Sequence, residues 1–234
     1  MIKSRIAVII PVYNHEQKVR DVVLETLKLN CPVFVIDDGS TDETYNNIKD
    51  IERVTIVRHP VNRGKGAAIL TGFDKAVRLA DWAITLDADG QHDPLDAIDM
   101  INKIPKNERP IIVGMRKGMK NKAPWTSRYG RKFSNFWVWI SGGPLINDSQ
   151  SGFRLYPIPE SIELDVRARR FQFEVEILVK AKRKNMPVVE VPVNVNYQKN
   201  TQRVSHFRPF IDFLRNSETY CRLIFQRLTV FCEK

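Results

Sequence analysis

Asp87-Ala88-Asp89 ends the apolar run Trp82–Leu86 and sets two carboxylates one small residue apart. Such a pair can share a divalent cation. An oxygen donor set suits Mg²⁺ or Mn²⁺, ions that commonly bridge to substrate phosphates. The location fits, because open α/β sheets bind ligands beyond the carboxyl ends of their strands. Taken alone, Asp-Ala-Asp-Gly90 is equally a turn leading to a helix cap at Asp93 before Pro94. Two more polar clusters weigh against the plain turn. Pro11-Val-Tyr-Asn14 follows the apolar run Ile6–Ile10, and Asp37-Asp-Gly-Ser40 follows Pro32–Ile36. If these strands lie side by side and parallel, all three clusters meet on one rim. That rim would offer an aromatic ring, carboxylates able to accept from a ribose or a base N–H, and a metal for a diphosphate. Arg63-Gly-Lys-Gly66 adds Lys65 at a helix start with exposed backbone N–H groups, although without Walker A spacing.

The elements that must position these residues alternate. Apolar runs at 6–10, 32–36, 54–57, 82–86 and 111–113 read as buried strands, and helical spacing marks 16–29, 64–80 and 94–104, with Ser40 or Thr41 able to cap one further helix. Nearly continuous apolar strands alternating with helices predict an α/β fold, a mostly parallel sheet covered on both faces. Beyond Arg116 the pattern changes. A basic loop at 117–124 precedes an aromatic-rich helix at 126–140, a short strand at 153–156, a helix at 171–184 and a strand at 188–197. Pro192 places that last strand at an edge or a bulge. Residues 207–231 read as a closing amphipathic helix. Phe210, Phe213, Leu214, Cys221, Ile224, Leu228 and Phe231 recur on one side, with Arg208, Arg215 and Arg222 on another. Such a helix either docks on the core or lies in a membrane surface.

Charge divides the chain. Residues 1–115 hold 15 Lys/Arg against 17 Asp/Glu, a net of −2, whereas residues 116–234 hold 22 against 10, a net of +12. The second half therefore expects an anionic partner, either an anionic membrane surface or nucleic acid. No apolar stretch is long enough to span a bilayer, and Met-Ile-Lys-Ser-Arg5 runs straight into a strand without a signal peptide. Cys31, Cys221 and Cys232 lack metal-like spacing and suit a reducing cytoplasm.

Pro11-Val-Tyr-Asn14, Ile36-Asp-Asp-Gly-Ser-Thr-Asp42, Asn62-Arg-Gly-Lys-Gly-Ala67 and Leu86-Asp-Ala-Asp-Gly-Gln-His92, in that order, resemble a family 2 glycosyltransferase of the GT-A, Rossmann-like fold. Gln150-Ser-Gly-Phe-Arg-Leu-Tyr156, Phe171-Gln-Phe-Glu-Val-Glu176 and Val189-Glu-Val-Pro192 resemble its dolichol-phosphate-mannose-synthase-like branch. The chain departs from that branch in placing His15 between Asn14 and Glu16. The resemblance implies that Pro11, Tyr13 and Asp38 hold the nucleoside, with Lys65 and Asp87 on the nucleotide's phosphate side. Asp87, Asp89 and Gln91 would hold the metal, with Asp89 as the catalytic carboxylate. Arg116, Arg128, Arg131, Ser134 and Arg203 would meet the acceptor.

The expected protein is a metal-dependent, inverting glycosyltransferase taking a sugar from a GDP- or UDP-linked donor. Residues 1–206 would form the catalytic domain, divided into a nucleotide half at 1–115 and an acceptor half at 116–206, and residues 207–234 the amphipathic helix. The preferred acceptor is a polyprenyl phosphate, met peripherally at the cytoplasmic face of a membrane. A phosphate acceptor is largely dianionic at neutral pH and needs no general base. A hydroxyl of a glycan or glycolipid does, and Asp148 is the first candidate for it. Asp148 and Glu174 otherwise read as ion-paired structural acids. A rival of another class is a nucleic-acid-binding protein using the basic half, with Phe133, Phe136, Trp137 and Trp139 beside Arg131 and Lys132. Their helical spacing reads better as packing or a lipid-facing surface, so no nucleic acid is expected.

Overall fold

The computed structural model describes residues 5–116, 125–195 and 209–232. Seven strands form one sheet: β1 (Ile6–Val12), β2 (Val33–Asp37), β3 (Val54–Arg58), β4 (Trp82–Thr85), β5 (Ile111–Arg116), β6 (Arg154–Pro157) and β7 (Val188–Val193). Their spatial order is β3-β2-β1-β4-β6-β5-β7, and β6 alone runs antiparallel to its neighbours. The helices are α1 (Val19–Leu27), α2 (Lys65–Ala76), α3 (Ala97–Ile101), α4 (Trp125–Ile140), α5 (Phe173–Arg183) and α6 (Pro209–Cys232).

The continuous apolar strands are explained by burial on both faces. In β1, Ala7 and Ile9 join Phe73 of α2 and Ile177 of α5 in one core layer, while Val8 and Ile10 join Val19 and Val23 of α1 and Met100 of α3 in the other. Each fully buried aliphatic or aromatic side chain contributes about 1.5–3 kcal/mol of transfer free energy. Two covered faces therefore hold β1, β2 and β4 rigidly in register, and with them the loops beyond their ends.

Several sequence expectations change here. Residues 42–50 wind as successive turns, with Asn47 N–H donating to Glu43 O and Lys49 N–H to Tyr45 O, and do not form the regular helix that a cap at Ser40 or Thr41 implied. The Asp42 side chain accepts from Thr44 N–H at 3.0 Å, a local competitor of helical bonding. The helix expected at 94–104 is a 3₁₀ turn at Pro94–Asp96 leading into the short α3. β7 is an edge strand, as Pro192 requires. β6, from the second half of the chain, inserts between β4 and β5 of the first.

The closing helix α6 is present. Tyr220 and Leu223 are buried, Cys221 and Leu228 are exposed, and the Arg222 guanidinium is bound by Glu176 at 2.8 and 3.2 Å. Arg222 is therefore a docking residue and does not belong to a free basic stripe. Among the described residues no helix is long and apolar enough to cross a membrane.

Candidate active site

Parallel pairing of β2-β1-β4 brings the three polar clusters to one rim, with Val12 level with Asp37 and Ile9 level with Thr85. Pro11, paired with Ile36 one position before the end of β1, is buried, and Tyr13 stands half-buried just past the strand. Asn14 adopts φ +51°, a left-handed conformation that Asn tolerates. Its N–H donates to Ser40 Oγ at 3.0 Å and its Oδ1 accepts from Thr41 N–H at 2.8 Å. His15 N–H donates to Thr44 Oγ1 at 2.8 Å, and the Glu16 carboxylate accepts from Glu43 N–H at 3.0 Å. The displaced Glu16 thus ties the β1 loop to the β2 loop.

Asp38 is buried, and both its oxygens are engaged. Oδ1 accepts from Arg63 N–H at 2.9 Å and lies 2.7 Å from His59 Nδ1, while Oδ2 accepts from Gly64 N–H at 2.6 Å. What Asp38 fixes directly is the loop entering α2. Gly64, at φ +102°, makes the sharp turn there. His59 also reaches Thr71 Oγ1 at 3.0 Å, which locks the strand end to α2. The sequence offered no spacing that would single out His59; only the fold places it against Asp38.

Lys65 begins α2 and bridges two acids, lying 2.6 Å from Asp87 Oδ1 and 2.5 Å from Glu174 Oε1. Burial opposes its charge, but the two carboxylates outweigh that and raise its pKa. For Asp87, burial is likewise outweighed by Lys65, and its carboxyl is held below the ordinary range. Asp89 moves the other way, raised first by burial and then by the charge of Asp87. Its Oδ1 accepts from Gln91 N–H at 3.0 Å, which brings Gln91 into the same turn. His92 packs on Phe153, is kept toward its neutral form chiefly by burial, and has a buried Nδ1 with no hydrogen-bond partner among the described residues. An anionic pair with one member unneutralised, beside a buried acceptor nitrogen, suits a divalent cation. Among the described residues no three His, Cys, Asp or Glu converge as a metal cage, so a cation here would need oxygens from a ligand.

Two features of this site escaped the sequence. Glu174, read as a structural acid, is the second anchor of Lys65, 109 positions away in the chain. Gly152, in the loop before β6, presses on the same pair: a Cβ there would lie 2.5 Å from Lys65 Nζ and 2.6 Å from Asp87 Oδ2. Arg154, buried on β6, holds that loop by donating to Ser149 O and Ser151 O at 2.7 Å each and to Glu174 O at 2.8 Å. The glycine and arginine stand in the Gln150–Tyr156 motif, but spacing alone could not say what they touch.

The expected acceptor residues divide. Asp148 is fully buried and binds Arg116 through both oxygens, with Nε–Oδ2 and Nη2–Oδ1 each 2.7 Å, and Arg131 Nη1 lies 3.6 Å from Oδ2. Burial alone would raise this carboxyl, but Arg116 and then Arg131 overcome it and hold it low. A low-pKa carboxylate with both oxygens engaged is poorly suited to be a general base. It anchors two arginines instead. Ser134 is buried, its Oγ 3.0 Å from both Ser149 Oγ and Tyr220 OH, and so it joins α4 to α6. Arg203 lies outside the described residues, and of Arg128 only the backbone, within α4, is described.

A mostly parallel sheet with nucleotide-type clusters at its strand ends defines a nucleotide-sugar transferase fold, and comparison with known proteins makes the class specific. Residues 7–157 match the family model "Glycosyl transferase family 2". The chain belongs to glycosyl transferase family 2 and is a glycosyltransferase. It is 34% identical over 221 residues to a UDP-N-acetylglucosamine–dolichyl-phosphate N-acetylglucosaminyltransferase of Methanococcus voltae, a match covering 84% of this chain and 88% of that one. It is 30% identical over 208 residues to the polyprenol monophosphomannose synthase of Mycolicibacterium smegmatis, covering 81% of this chain and 77% of the relative. In fold it is similar to the glucosyl-3-phosphoglycerate synthase of Mycobacterium tuberculosis, solved with Mn²⁺, UDP and phosphoglyceric acid. That superposition has a TM-score of 0.71 at 17% identity and covers 96% of this chain and 78% of the other. The chain is therefore an enzyme.

Proposed function

We propose that the enzyme transfers a sugar, with inversion, from a UDP- or GDP-linked donor to the phosphate of a polyprenyl lipid at a membrane surface. The observation that carries this is the disposition of charge about the β4 end. The carboxylates Asp87 and Asp89 gather beside Lys65, and an arginine pair anchored on Asp148 belongs to the adjoining second half. Pro11, Tyr13 and the Asp38-held loop would take the nucleoside. Asp87, Asp89 and Gln91 would hold Mg²⁺ or Mn²⁺, and His92 Nδ1 stands close by in the sequence as a further donor. Bound there, the cation would offset the charge that develops on the departing nucleoside diphosphate. Lys65 keeps Asp87 ionised and oriented for that task.

A phosphate acceptor is favoured over a hydroxyl because it brings its own anionic nucleophile. The acid that a hydroxyl acceptor would need at position 148 is committed to Arg116. Arg131 and Arg116 would cradle the phosphate, since a guanidinium forms planar, charge-assisted contacts with it. Relatives whose names specify dolichyl phosphate and polyprenol support the same acceptor class. The test is nucleoside diphosphate release from UDP- and GDP-sugars, with Mg²⁺ or Mn²⁺ and with EDTA, in the presence and absence of a short isoprenyl phosphate. Release that depends on both metal and isoprenyl phosphate is expected. Turnover with a hydroxyl-bearing glycan and none with the lipid phosphate would overturn the reading.

A further inference from the structure

Lys65 is placed against the preference of its own helix. It opens α2, whose first turn holds no acidic residue, and a cation is disfavoured at a helix N-terminus. Its position is therefore set by its partners, the carboxylates of Asp87 and Glu174, both within hydrogen-bonding distance of the ammonium. The two partners differ. Glu174 stands in the first turn of α5, where the helix favours an anion, and its side chain is only 7% exposed. Asp87 lies past the end of β4 with its side chain 29% exposed, and so is the one an incoming ligand can reach.

The ammonium has little other freedom. Gly152 caps it with backbone, leaving no room for even a Cβ. Arg154 pins that loop through Ser151 O and also donates to Glu174 O, so the cap and the deeper anchor form one assembly. Lys65 offsets one of two close negative charges at Asp87 and Asp89. A divalent cation on those carboxylates would repel the ammonium from Asp87. Were Asp87 its sole partner, the displacement would strand a buried charge, which is strongly destabilising. Glu174 removes that obstacle by offering a second seat.

We propose that Lys65 is a resident counter-ion for the carboxylates that bind the metal, and that Glu174 is the positioning residue that lets it step aside. In the arrangement described, the ammonium is shared between Asp87 and Glu174. Once a cation is bound by Asp87 and Asp89, Lys65 releases Asp87 and rests on Glu174 alone. The proposal depends on the reading of Asp87 and Asp89 as the metal-binding pair. It accounts for a carboxylate 109 positions from Lys65 being buried at the donor rim.

The experiment measures Mn²⁺ binding to the full chain by water-proton relaxation, with no donor present and no turnover read. Asp89→Asn locates the signal, since it should lose most of the binding. Glu174→Gln keeps the side chain's shape but removes the second seat, so Lys65 stays on Asp87. Mn²⁺ should then bind about tenfold more weakly, the scale of one charge-assisted contact. Lys65→Met removes the competing cation, and Mn²⁺ should bind about tenfold more tightly on the same scale. In the Lys65→Met background, Glu174→Gln should change little. Burial already pushes the Glu174 carboxyl up, against Lys65 and Arg154, and without the lysine it takes up a proton. Cooperative melting shows that each variant folds. If Lys65→Met alone does not fold, the double variant, which removes the lysine together with its buried acid, must still bind Mn²⁺ more tightly than Glu174→Gln. An equal loss from Glu174→Gln in both backgrounds would overturn the proposal, and so would weaker binding in Lys65→Met. Binding that is lost with Asp89 yet flat across the Lys65 and Glu174 variants would sink this proposal alone. No Mn²⁺ binding, or binding that Asp89→Asn leaves intact, would remove the metal reading and this proposal with it.

Discussion

The donor rim and the arginine region use charge in opposite ways. On the rim, carboxylates are held from below by short backbone contacts: Asp38 by the N–H groups of residues 63 and 64, Asp37 by Ser40 N–H, and Asp89 by Gln91 N–H. Around α4 and α6, arginines are held by single buried acids far away in the chain, Arg116 by Asp148 and Arg222 by Glu176. A carboxylate seated on backbone amides is oriented by the fold of its own loop. An arginine seated on a buried acid is oriented by a residue far from it in the chain. The rim should therefore fail by loss of chemistry and the arginine region by loss of structure or of acceptor affinity.

The sharpest break would come at the rim. Asp89→Ala should lower turnover roughly thousandfold or more, as expected when a preorganised stabiliser of developing charge is removed, while circular dichroism and melting stay unchanged. Nucleoside diphosphate release is the measurement, and full activity of this variant in EDTA would end the metal-dependent reading. Asp148→Ala probes the other side. Breaking a buried ion pair costs about 3–5 kcal/mol, so this variant should melt well below the parent. The pH sign follows from the lowered carboxyl of Asp148. A folded pKa below the unfolded one gives stability that is complete above about pH 4 and is lost as pH falls through the lowered value. The melting gap between parent and Asp148→Asn should thus be constant near neutrality and close only in acid.

Gly152→Ala should act through position alone. The added methyl would push into Lys65 and Asp87, and a misplacement of about 1 Å near the chemistry can cost on the order of a hundredfold. The expected signature is a lower kcat with little change in melting temperature. The smallest effect is reserved for Arg131→Ala, which should raise the acceptor KM about ten- to a hundredfold, the worth of one charge-assisted contact. Donor KM should stay nearly constant when each substrate is varied separately. An equal rise in both would dissolve the distinction between the two regions.

The same contrast explains what could be read from the sequence. Clusters 11–14, 37–40 and 87–91 stand directly after apolar runs, so a parallel sheet was enough to predict their meeting. The partners of the long-range ion pairs carry no such local mark. Glu174 lies in a helix that reads as amphipathic, and nothing in its neighbourhood points to Lys65. Asp148 looked available because sequence shows a carboxylate but not its burial beneath Arg116. The burial of Ser134 was hidden in the same way, since a serine beside arginines shows nothing of the α6 that packs on it. Which side of α6 meets the core could not be read because apolar residues surround that helix on more than one side, and packing chose Tyr220 and Leu223.

The reversed strand β6 has a consequence for how the chain must be assembled. It is an interior strand, fifth of the seven, yet it is translated after β5, the strand it separates from β4. A nascent chain ending before residue 154 has β4 ready but lacks the partner for its open edge, and an open edge invites pairing with other chains. The nucleotide half therefore cannot close its sheet on its own, and β4 waits for a distant segment, a kind of pairing that slows folding. The loop that carries Gly152 and lines Asp87 arrives with that same strand. Completion of the sheet and completion of the active site are thus one event on the folding path.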